Sequence, residues 1–169
     1  MTQTFDAASP PVPLFERKIC SSGDFLEHAL GLPRPRVLTN GCFDILHRGH
    51  ITYLAQARAL GASLIVLVNS DASVKRQGKG ADRPVNTLTD RLAVLAALAS
   101  VDMVCGFEED TPLAVIRAIQ PEVLVKGGDW PVERIVGASD VLARGGGVFS
   151  IPFVHDRSTS ALIERIRSL

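Results

Sequence analysis

This sequence has no excess of positive or of negative charge, and its aromatic side chains are few. The 169 residues carry 18 Lys and Arg against 18 Asp and Glu, with only one Trp and one Tyr. A protein that binds nucleic acid usually has a basic face and aromatic side chains on which bases can stack. We therefore expect no nucleic-acid partner.

Long apolar runs are missing as well. No run reaches the length that spans a bilayer, and the first residues lack the basic-then-apolar order of a signal peptide. We expect a cytoplasmic protein without membrane contact. The length and the ordinary share of hydrophobic residues, 46%, predict a single domain. Residues 1–13 are rich in proline and poor in large apolar groups, so we predict a mobile tail there and the domain over residues 14–169.

Cysteines are also sparse. Cys20, Cys42 and Cys105 are widely spaced and form no C-x-x-C pair, which predicts reduced thiols rather than disulfides. Cys42 with His47 and His50 could be drawn as a zinc site, but no fourth ligand is apparent. Phosphate binding explains both histidines, so we predict no metal site built from protein ligands.

The most informative stretch that is present runs from Thr39 to His50, TNGCFDILHRGH. It follows a β-favouring run, Arg36–Thr39, and leads into an amphipathic helix predicted over residues 49–60. His47 and His50 thus lie at a helix N-terminus, where free N–H groups and the helix dipole favour anions. The glycine between them lets a phosphate approach the backbone closely. This stretch predicts phosphate chemistry.

The order of strands and helices predicts an α/β protein. Ser63–Asn69 is a continuous aliphatic run, typical of a strand that is buried on both faces. Strand, helix and strand in this order form a parallel unit, whose ligands bind beyond the carboxyl ends of the strands. Further strands are predicted over 101–107, 122–126 and 148–153. Helices are predicted over 22–30, 89–99, 138–144 and 161–169, with another that opens at Pro112. The fold class is a Rossmann-like doubly wound sheet of about five mainly parallel strands.

Several polar residues fall at the carboxyl edge of this predicted sheet. Asn40, Asn69 and Asp71 belong to one rim, although the last two could equally make a turn that caps the next segment. Residues 71–87 form a long basic connection that either closes on an anionic substrate or is simply solvated. Within it we choose Lys79 and Arg83, since glycine or proline beside them fixes the local path.

Two more segments carry candidate phosphate contacts. Lys126 ends a buried strand and runs into Gly127-Gly128-Asp129-Trp130, which places one ammonium beside a close-approaching backbone or makes an ordinary turn. Ser158-Thr159-Ser160 opens the last helix, where an N-cap explains one of the three hydroxyls. Arg91 lies near the start of another helix. It is equally suited to bind phosphate or to form an ion pair with Asp90 or Glu108, and we leave it outside the predicted site.

Five motifs occur in order: TNGCFDILHRGH, LIVLVNSDASVKR, RPVN, FEEDTP and VLVKGGDW. His47-Arg48-Gly49-His50 has the His-x-Gly-His form of the nucleotidyltransferase superfamily, and the ordered set resembles the bacterial D-glycero-β-D-manno-heptose 1-phosphate adenylyltransferases. The resemblance covers residues 36–169. It implies an enzyme that transfers AMP from ATP to heptose 1-phosphate, giving ADP-heptose and pyrophosphate for lipopolysaccharide core synthesis.

The resemblance also implies roles for individual residues. It adds Mg²⁺ as the companion of ATP and a homodimer as the assembly. Catalysis falls to His47, His50 and Lys126. The implied nucleotide-binding residues are Thr39, Asn40, Gly41, Phe43, His47, Gly49, His50, Asn69, Asp71, Gly128, Ser158, Thr159 and Ser160. The implied substrate-binding residues are Asp44, Lys79, Arg83, Lys126 and Asp129. For Asp44 the alternative is a carboxylate that only caps the loop.

Two other functions stay open at this point. A cytidylyltransferase acting on glycerol 3-phosphate or another phospho-alcohol shares the fold and the His-x-Gly-His turn. The segment VLVKGGDW and the missing Arg-Thr-x-Gly-Ile-Ser-Thr motif stand against it. A nucleotide-binding module without turnover is the alternative of another class, and the intact histidines argue against it. Arg157 stands where many relatives have a small residue, which leaves the contacts of the Ser158 segment open.

Overall fold

The computed structural model describes residues 11–21, 23–78, 80, 82–155 and 158–169. These residues form one sheet of six parallel strands, in the spatial order β1-β4-β3-β2-β5-β6. The strands are β1 Ile19–Cys20, β2 Arg36–Gly41, β3 Ser63–Asn69, β4 Met103–Phe107, β5 Val123–Gly127 and β6 Gly147–Ile151. The prediction of an α/β fold with a parallel sheet is confirmed.

Helices cover both faces of the sheet. They are α1 Phe25–Gly31, α2 Arg48–Arg58, α3 Asp71–Arg76, α4 Leu88–Ala96, α5 Leu113–Ile119, α6 Ala138–Ala143 and α7 Thr159–Arg167. Two short 3₁₀ turns, Leu14–Lys18 and Val132–Arg134, complete the described elements. No helix in the described ranges is long and apolar enough to cross a membrane.

Alternate residues of the central strand β3 pack into two separate hydrophobic cores. In β3, Leu64, Val66 and Val68 face the layer that contains α2 and α4. Ile65 and Leu67 face the opposite layer, which contains α1, α5 and α6. Each fully buried aliphatic side chain contributes about 1.5–3 kcal/mol, so an uninterrupted apolar run is what a strand covered on both sides requires.

The parallel register brings the strand ends to one edge. Asn40 in β2 lies opposite Leu67 in β3, and Asn69 at the end of β3 lies opposite Phe107 in β4. The residues after β2, β3 and β5 therefore gather at the carboxyl edge, as ligand sites in such sheets do.

Two elements differ from the sequence prediction. The sheet has a sixth strand, β1, which pairs Ile19 with Val104. The connection over residues 71–87 begins with a helix, α3, because the Ser70 hydroxyl accepts a hydrogen bond from the Ser73 N–H at 3.1 Å and caps it. A strand of two residues and a polar helix of six carry too little apolar periodicity to be recognised.

Most helix limits lie within three residues of their predicted positions. The first helix begins at Phe25, with Asp24 at its N-cap position, rather than at Ser22, which lies outside the described residues. The last helix begins at Thr159, two residues earlier than predicted. Gly145 ends α6 with φ of 78°, as a helix stop requires. Most of the predicted tail, residues 1–13, lies outside the described residues.

Candidate active site

The two histidines of the His-x-Gly-His turn lie face to face. His47 occupies the N-cap position of α2 in an extended conformation, and His50 lies in the first turn of the helix. Their ring centroids are 3.8 Å apart and the ring planes differ by 20°. The structure thus brings the two predicted catalytic residues together at a helix N-terminus.

Burial keeps both imidazoles neutral. It lowers the pKa of His47, and it lowers the pKa of His50 from 6.5 to about 4, helped by the charge that His47 would carry and opposed by the Ile45 backbone. Within the described ranges, neither Nδ1 atom has a hydrogen-bond partner although both are buried. Each neutral ring offers one N–H donor and one acceptor.

Aromatic rings surround this pair. Phe43 meets His50 edge-on at 5.4 Å between centroids. Phe153 meets His47 at 6.5 Å and His50 at 6.0 Å, also edge-on. Such edge-to-face contacts each contribute about 0.5–1.5 kcal/mol beyond the area that they bury. Neither Phe153 nor Tyr53, which Phe153 also contacts, was among the predicted site residues.

The loop of residues 41–47, which starts at the last residue of β2 and leads into α2, is shaped by small residues and one unusual conformation. Phe43 has φ of 47°, a region that non-glycine residues rarely adopt. A Cβ on Gly41 would lie 2.9 Å from the Phe43 ring, and a Cβ on Gly49 would lie 3.0 Å from Nδ1 of His47. The predicted nucleotide contacts Gly41, Phe43 and Gly49 therefore set the positions of the rings.

Thr39 is fully buried below this loop, and its hydroxyl is hydrogen-bonded to the hydroxyl of Tyr53. Burial also raises the pKa of Tyr53 well above its usual value, so the phenol stays protonated. The predicted nucleotide contact of Thr39 stays a prediction; in the structure its side chain anchors α2 to β2.

Lys126 lies at the same edge of the sheet. Its Nζ donates hydrogen bonds to the carbonyl oxygen and to Oδ1 of Asn40, both at 3.2 Å. Gly128, with φ of 111°, donates its N–H to the Ile151 carbonyl at 2.8 Å and turns the chain after β5. Asp129 is exposed. The predicted cation thus sits between the ends of β2 and β5.

A cavity of about 210 Å³ opens beside Lys126. Its wall includes the predicted residues Asn40, Gly41 and Asn69. Other lining residues were not predicted to bind ligand: Cys42, Gln77, Thr111, Trp130 and Arg134. Amides, a hydroxyl, an indole and two cations line the cavity together with one carboxylate, Asp110, and this set suits a polar small molecule that carries negative charge.

Asp44 and Arg83 form a buried ion pair. The Asp44 carboxylate accepts hydrogen bonds from Arg83 Nε, from the Val85 N–H at 2.8 Å and from the Asn86 N–H at 3.0 Å. Its side chain has no exposed surface. The pair therefore holds residues 83–86 against the loop of residues 41–47, which is the capping alternative for Asp44. Substrate contact by either residue stays a prediction, and Lys79 lies outside the described residues.

Arg91 ties the strand ends together. Its guanidinium is buried and donates to the Cys42 carbonyl at 2.6 Å and the Asn69 carbonyl at 2.8 Å, and it pairs with Asp71 at 2.7 Å. Neither of the expected partners, Asp90 or Glu108, forms this ion pair. Asp71 is thus engaged in holding α3 to the strand ends.

Asn69 is likewise engaged at the end of β3. Its Nδ2 donates to the Ser73 hydroxyl at 3.1 Å, so the side chain supports the turn into α3. Asn69 also lines the cavity, which keeps its predicted nucleotide contact open.

The start of α7 reaches the histidine turn. The Ser158 hydroxyl caps the helix by accepting from the Ala161 N–H at 3.1 Å, and the Thr159 hydroxyl donates to the Ile45 carbonyl at 3.2 Å. Ser160 lines a second cavity, of about 210 Å³, beside Arg83. The predicted triphosphate segment is thus adjacent to the histidine pair.

A family model decides the classification. The model of the cytidylyltransferase-like family matches residues 38–164, which is most of the chain. The chain belongs to the cytidylyltransferase-like family. It is therefore a nucleotidyltransferase, and the resemblance drawn from the ordered motifs is confirmed.

Individual relatives of this cytidylyltransferase-like chain support the same classification. It is 51% identical to a D-beta-D-heptose 1-phosphate adenylyltransferase of Bordetella bronchiseptica over 90% of its length and 96% of that protein. It is also 51% identical to the bifunctional protein HldE of Nitrosococcus oceani over 89% of its length. It spans about a third of that bifunctional relative, 33%.

Solved structures share the fold. A lipopolysaccharide core biosynthesis protein from Thermoplasma volcanium has a TM-score of 0.59 and 29% identity, over 72% of this chain and 98% of that one. A pantothenate synthetase from Thermus thermophilus has the same TM-score, 0.59, at 17% identity over 82% of this chain and 63% of that one. The second likeness shows the fold alone.

For a cytidylyltransferase-like enzyme the site offers hydrogen-bond donors and cations but no carboxylate cage. Within the described ranges, no group of three or more His, Cys, Asp or Glu residues could hold a metal ion. The arrangement can bind phosphate and stabilise charge on phosphoryl oxygens, and the cavity beside Lys126 can take a second substrate.

Proposed function

We propose that the protein transfers AMP from ATP to D-glycero-β-D-manno-heptose 1-phosphate, giving ADP-heptose and pyrophosphate. One observation carries the proposal: the stacked pair of His47 and His50 at the N-terminus of α2, in a chain 51% identical to a heptose 1-phosphate adenylyltransferase over 90% of its length. The product would supply lipopolysaccharide core synthesis.

The chemistry needs positioning more than proton transfer. An oxygen of the sugar phosphate forms a bond to the α-phosphorus of ATP, and the bond to the pyrophosphate oxygen breaks in line with it. The nucleophile is already an anion near neutral pH, so no general base is required. Rate acceleration then comes from holding two polyanions together and stabilising the α-phosphoryl oxygens.

The histidine pair supplies that stabilisation. His47 and His50 would each donate one N–H to the α-phosphoryl oxygens, at a helix N-terminus that itself favours anions. Because the pKa of both rings is lowered by burial, they are neutral before ATP binds. A bound polyanion raises the pKa of a nearby imidazole, which strengthens both donors.

The cavity beside Lys126 would receive the sugar phosphate. Lys126, held by Asn40, would neutralise phosphate charge, and Gln77 and Thr111 would meet sugar hydroxyls. The exposed face of Trp130 offers an apolar wall for the ring. We retain Asp129 and Lys79 as proposed substrate contacts, and the backbone at Gly128 and the hydroxyls of Ser158, Thr159 and Ser160 as proposed triphosphate contacts.

Mg²⁺ belongs to the proposal as the companion of ATP. When bound, it would neutralise charge on the phosphates. The donor set near the histidines fits an ion that the nucleotide brings, because the described residues provide no cluster of metal ligands of their own.

Assembly and location complete the proposal. The family resemblance supports a homodimer, which light scattering after size exclusion would test. We place the enzyme in the cytoplasm because ATP is its co-substrate, and cell fractionation would test this.

Pyrophosphate release over a grid of substrates tests the function. ATP, CTP, GTP and UTP would each be paired, with Mg²⁺, against the heptose 1-phosphate, glycerol 3-phosphate and phosphocholine. The proposal expects turnover with ATP and the heptose phosphate. Turnover with CTP and a phospho-alcohol instead would overturn the substrate assignment while keeping the chemistry. If no pair of substrates releases pyrophosphate, a nucleotide-binding module without turnover would be favoured.

Fluorescence of Trp130, the one tryptophan of the chain, tests the second subsite. Heptose 1-phosphate should change its emission at a concentration near the KM for the sugar. An unchanged signal at saturation would argue that this cavity is not the sugar site.

A further inference from the structure

Phe153 occupies a special position between β6 and α7. Its ring contacts both active-site histidines and meets Tyr53 edge-on at 5.8 Å. It lies five residues before Ser158, which caps α7. The Phe153 ring thus contacts both histidines and also Tyr53, the residue of α2 whose hydroxyl is bonded to Thr39 of β2.

One glycine, Gly127, makes room for this ring, and two others lie beside it at ordinary contact distance. A Cβ on Gly127 would lie 3.0 Å from Cζ of Phe153, one on Gly49 would lie 3.6 Å from Cδ1, and one on Gly128 would lie 3.9 Å from Cε2. Gly49 belongs to α2, whereas Gly127 ends β5 and Gly128 comes directly after it. The backbone of two separate segments therefore lies against one side of the ring, while 40% of the Phe153 surface stays exposed.

Hydrogen bonds orient the two histidines only in part: the Ile45 backbone bonds the His50 ring, whereas the Nδ1 atoms of both rings have no partner in the described ranges. An active-site imidazole is normally fixed by a hydrogen bond from its second ring nitrogen to a carbonyl or a carboxylate. Within the described ranges, Nδ1 of His47 and Nδ1 of His50 have no such partner. The ring contacts of the pair are those of the two imidazoles with each other and with Phe153, and of His50 with Phe43.

We propose that Phe153 is a positioning residue for adenylyl transfer: its ring edge holds the stacked imidazoles of His47 and His50 in the orientation that donates to the α-phosphoryl oxygens. This inference rests on the proposed function of the histidines. Phe153 acts through the two rings and performs no chemistry itself. It also keeps water from the buried side of the pair.

The groups around the pair make the titration of His50 a usable readout. His47 is the titratable neighbour on the same turn, and Tyr53 on α2 stays protonated because burial raises its pKa. Lys126 on β5 is bonded to Asn40, and Asp44 in the loop is paired with Arg83. Phe153 contacts the rings of His47 and Tyr53 but takes no part in the Lys126–Asn40 hydrogen bonds or the Asp44–Arg83 ion pair, so its removal changes mainly the hydration of the imidazoles.

The test compares three variants. Phe153→Ala removes the ring, Phe153→Leu keeps an apolar side chain without a ring edge, and Phe149→Ala is the matched control. Phe149 is 43% exposed against 40% for Phe153 and lies on β6. We expect kcat with ATP and the heptose phosphate to fall about 10²-fold in Phe153→Ala and about 10-fold in Phe153→Leu, because misplaced donors lose most of their effect. The KM for ATP should stay within about threefold, and Phe149→Ala should match the native chain.

Histidine NMR supplies a readout that does not depend on turnover. The pKa of His50, about 4 in the native chain, should rise toward 6.5 in Phe153→Ala and stay unchanged in Phe149→Ala. A raised KM for ATP at native kcat would overturn the proposal, because Phe153 would then be a nucleotide contact. An unchanged pKa of His50 in both Phe153 variants would overturn it too. If Phe153→Ala does not fold, the leucine variant decides.

The two proposals fail in distinguishable ways. If the native chain turns over no substrate in the grid, the proposed function fails while the NMR titration still tests the positioning of the rings. If the native chain is active and the Phe153 variants keep native kcat, the function stands and the positioning role falls.

Discussion

Replacing Gly49 by alanine separates the stability of α2 from the placement of His47. Gly49 is the second residue of α2, so a methyl group there should favour the helix by up to about 1 kcal/mol. The same methyl would lie 3.0 Å from Nδ1 and 3.1 Å from Cε1 of His47. Contacts that short force the ring to move by a few tenths of an ångström or to rotate.

The displaced ring cannot move without disturbing its neighbours. His47 is stacked on His50 at 3.8 Å and meets Phe153, which lies 3.6 Å from the new methyl. A misplacement of about 1 Å in a charge-stabilising group costs about 10²-fold in rate. We therefore expect kcat of Gly49→Ala to fall about 10²-fold, while the free energy of unfolding changes by less than about 1 kcal/mol.

Pyrophosphate release and urea unfolding on the same preparations check both halves of this prediction. Gly31→Ala is the matched control, since Gly31 ends α1 and nothing lies within 4 Å of its added Cβ. It should keep native kcat and gain up to about 1 kcal/mol. If Gly49→Ala keeps kcat within about threefold of the native chain, the placement of His47 does not limit the reaction and this reasoning is wrong.

Three further changes have defined outcomes. Gly127→Ala, whose Cβ would lie 3.0 Å from Phe153 and 3.1 Å from Tyr53, should lower kcat without unfolding the chain; unchanged kinetics would contradict a role for these rings in placing the histidines. Asp44→Ala should cost about 3 kcal/mol in urea unfolding because Arg83 is left buried without its partner, and a cost below about 1 kcal/mol would refute a structural ion pair. The low pKa of His50 makes the folded chain resist protonation, so the free energy of unfolding should fall by about 3 kcal/mol as the pH drops from 6.5 to about 4. His50→Leu should lack this part of the decline, and equal declines in both proteins would contradict the assignment.

The local sequence pattern was sufficient to predict β3 and the helix that begins at the histidine turn. The apolar run Ser63–Asn69 predicted β3 with its observed limits, because a strand buried on both faces needs a continuous aliphatic sequence. The histidine turn was predicted at the N-terminus of a helix because the loop, the glycine and the amphipathic pattern are contiguous in sequence. Ordered motifs then led to the family that the comparisons show.

Hydrogen bonds and ion pairs between residues far apart in the sequence could not be predicted in the same way. Arg91 reaches Cys42 across 49 positions, and Arg83 pairs with Asp44 across 39. A long cationic side chain looks the same in sequence whether it meets substrate or a buried carbonyl. The sequence therefore offered Arg83 as a substrate contact, which stays a prediction, and gave no sign of its ion pair with Asp44.

The contacts of Phe153 were missed for a related reason. About one hundred positions separate it from His50, and a single apolar residue after a strand is an ordinary part of a core pattern. Only the ring geometry of the folded chain reveals that Phe153 meets both histidines. Such a signal exists only in three dimensions.

The turnover of His50→Ala with ATP and D-glycero-β-D-manno-heptose 1-phosphate shows whether the histidine pair takes part in adenylyl transfer. If the stacked histidines stabilise the α-phosphoryl oxygens, kcat should fall about 10²–10³-fold in a chain whose thermal unfolding is still cooperative. A folded His50→Ala that keeps near-native turnover would contradict the account, because the histidine pair would then have no part in adenylyl transfer.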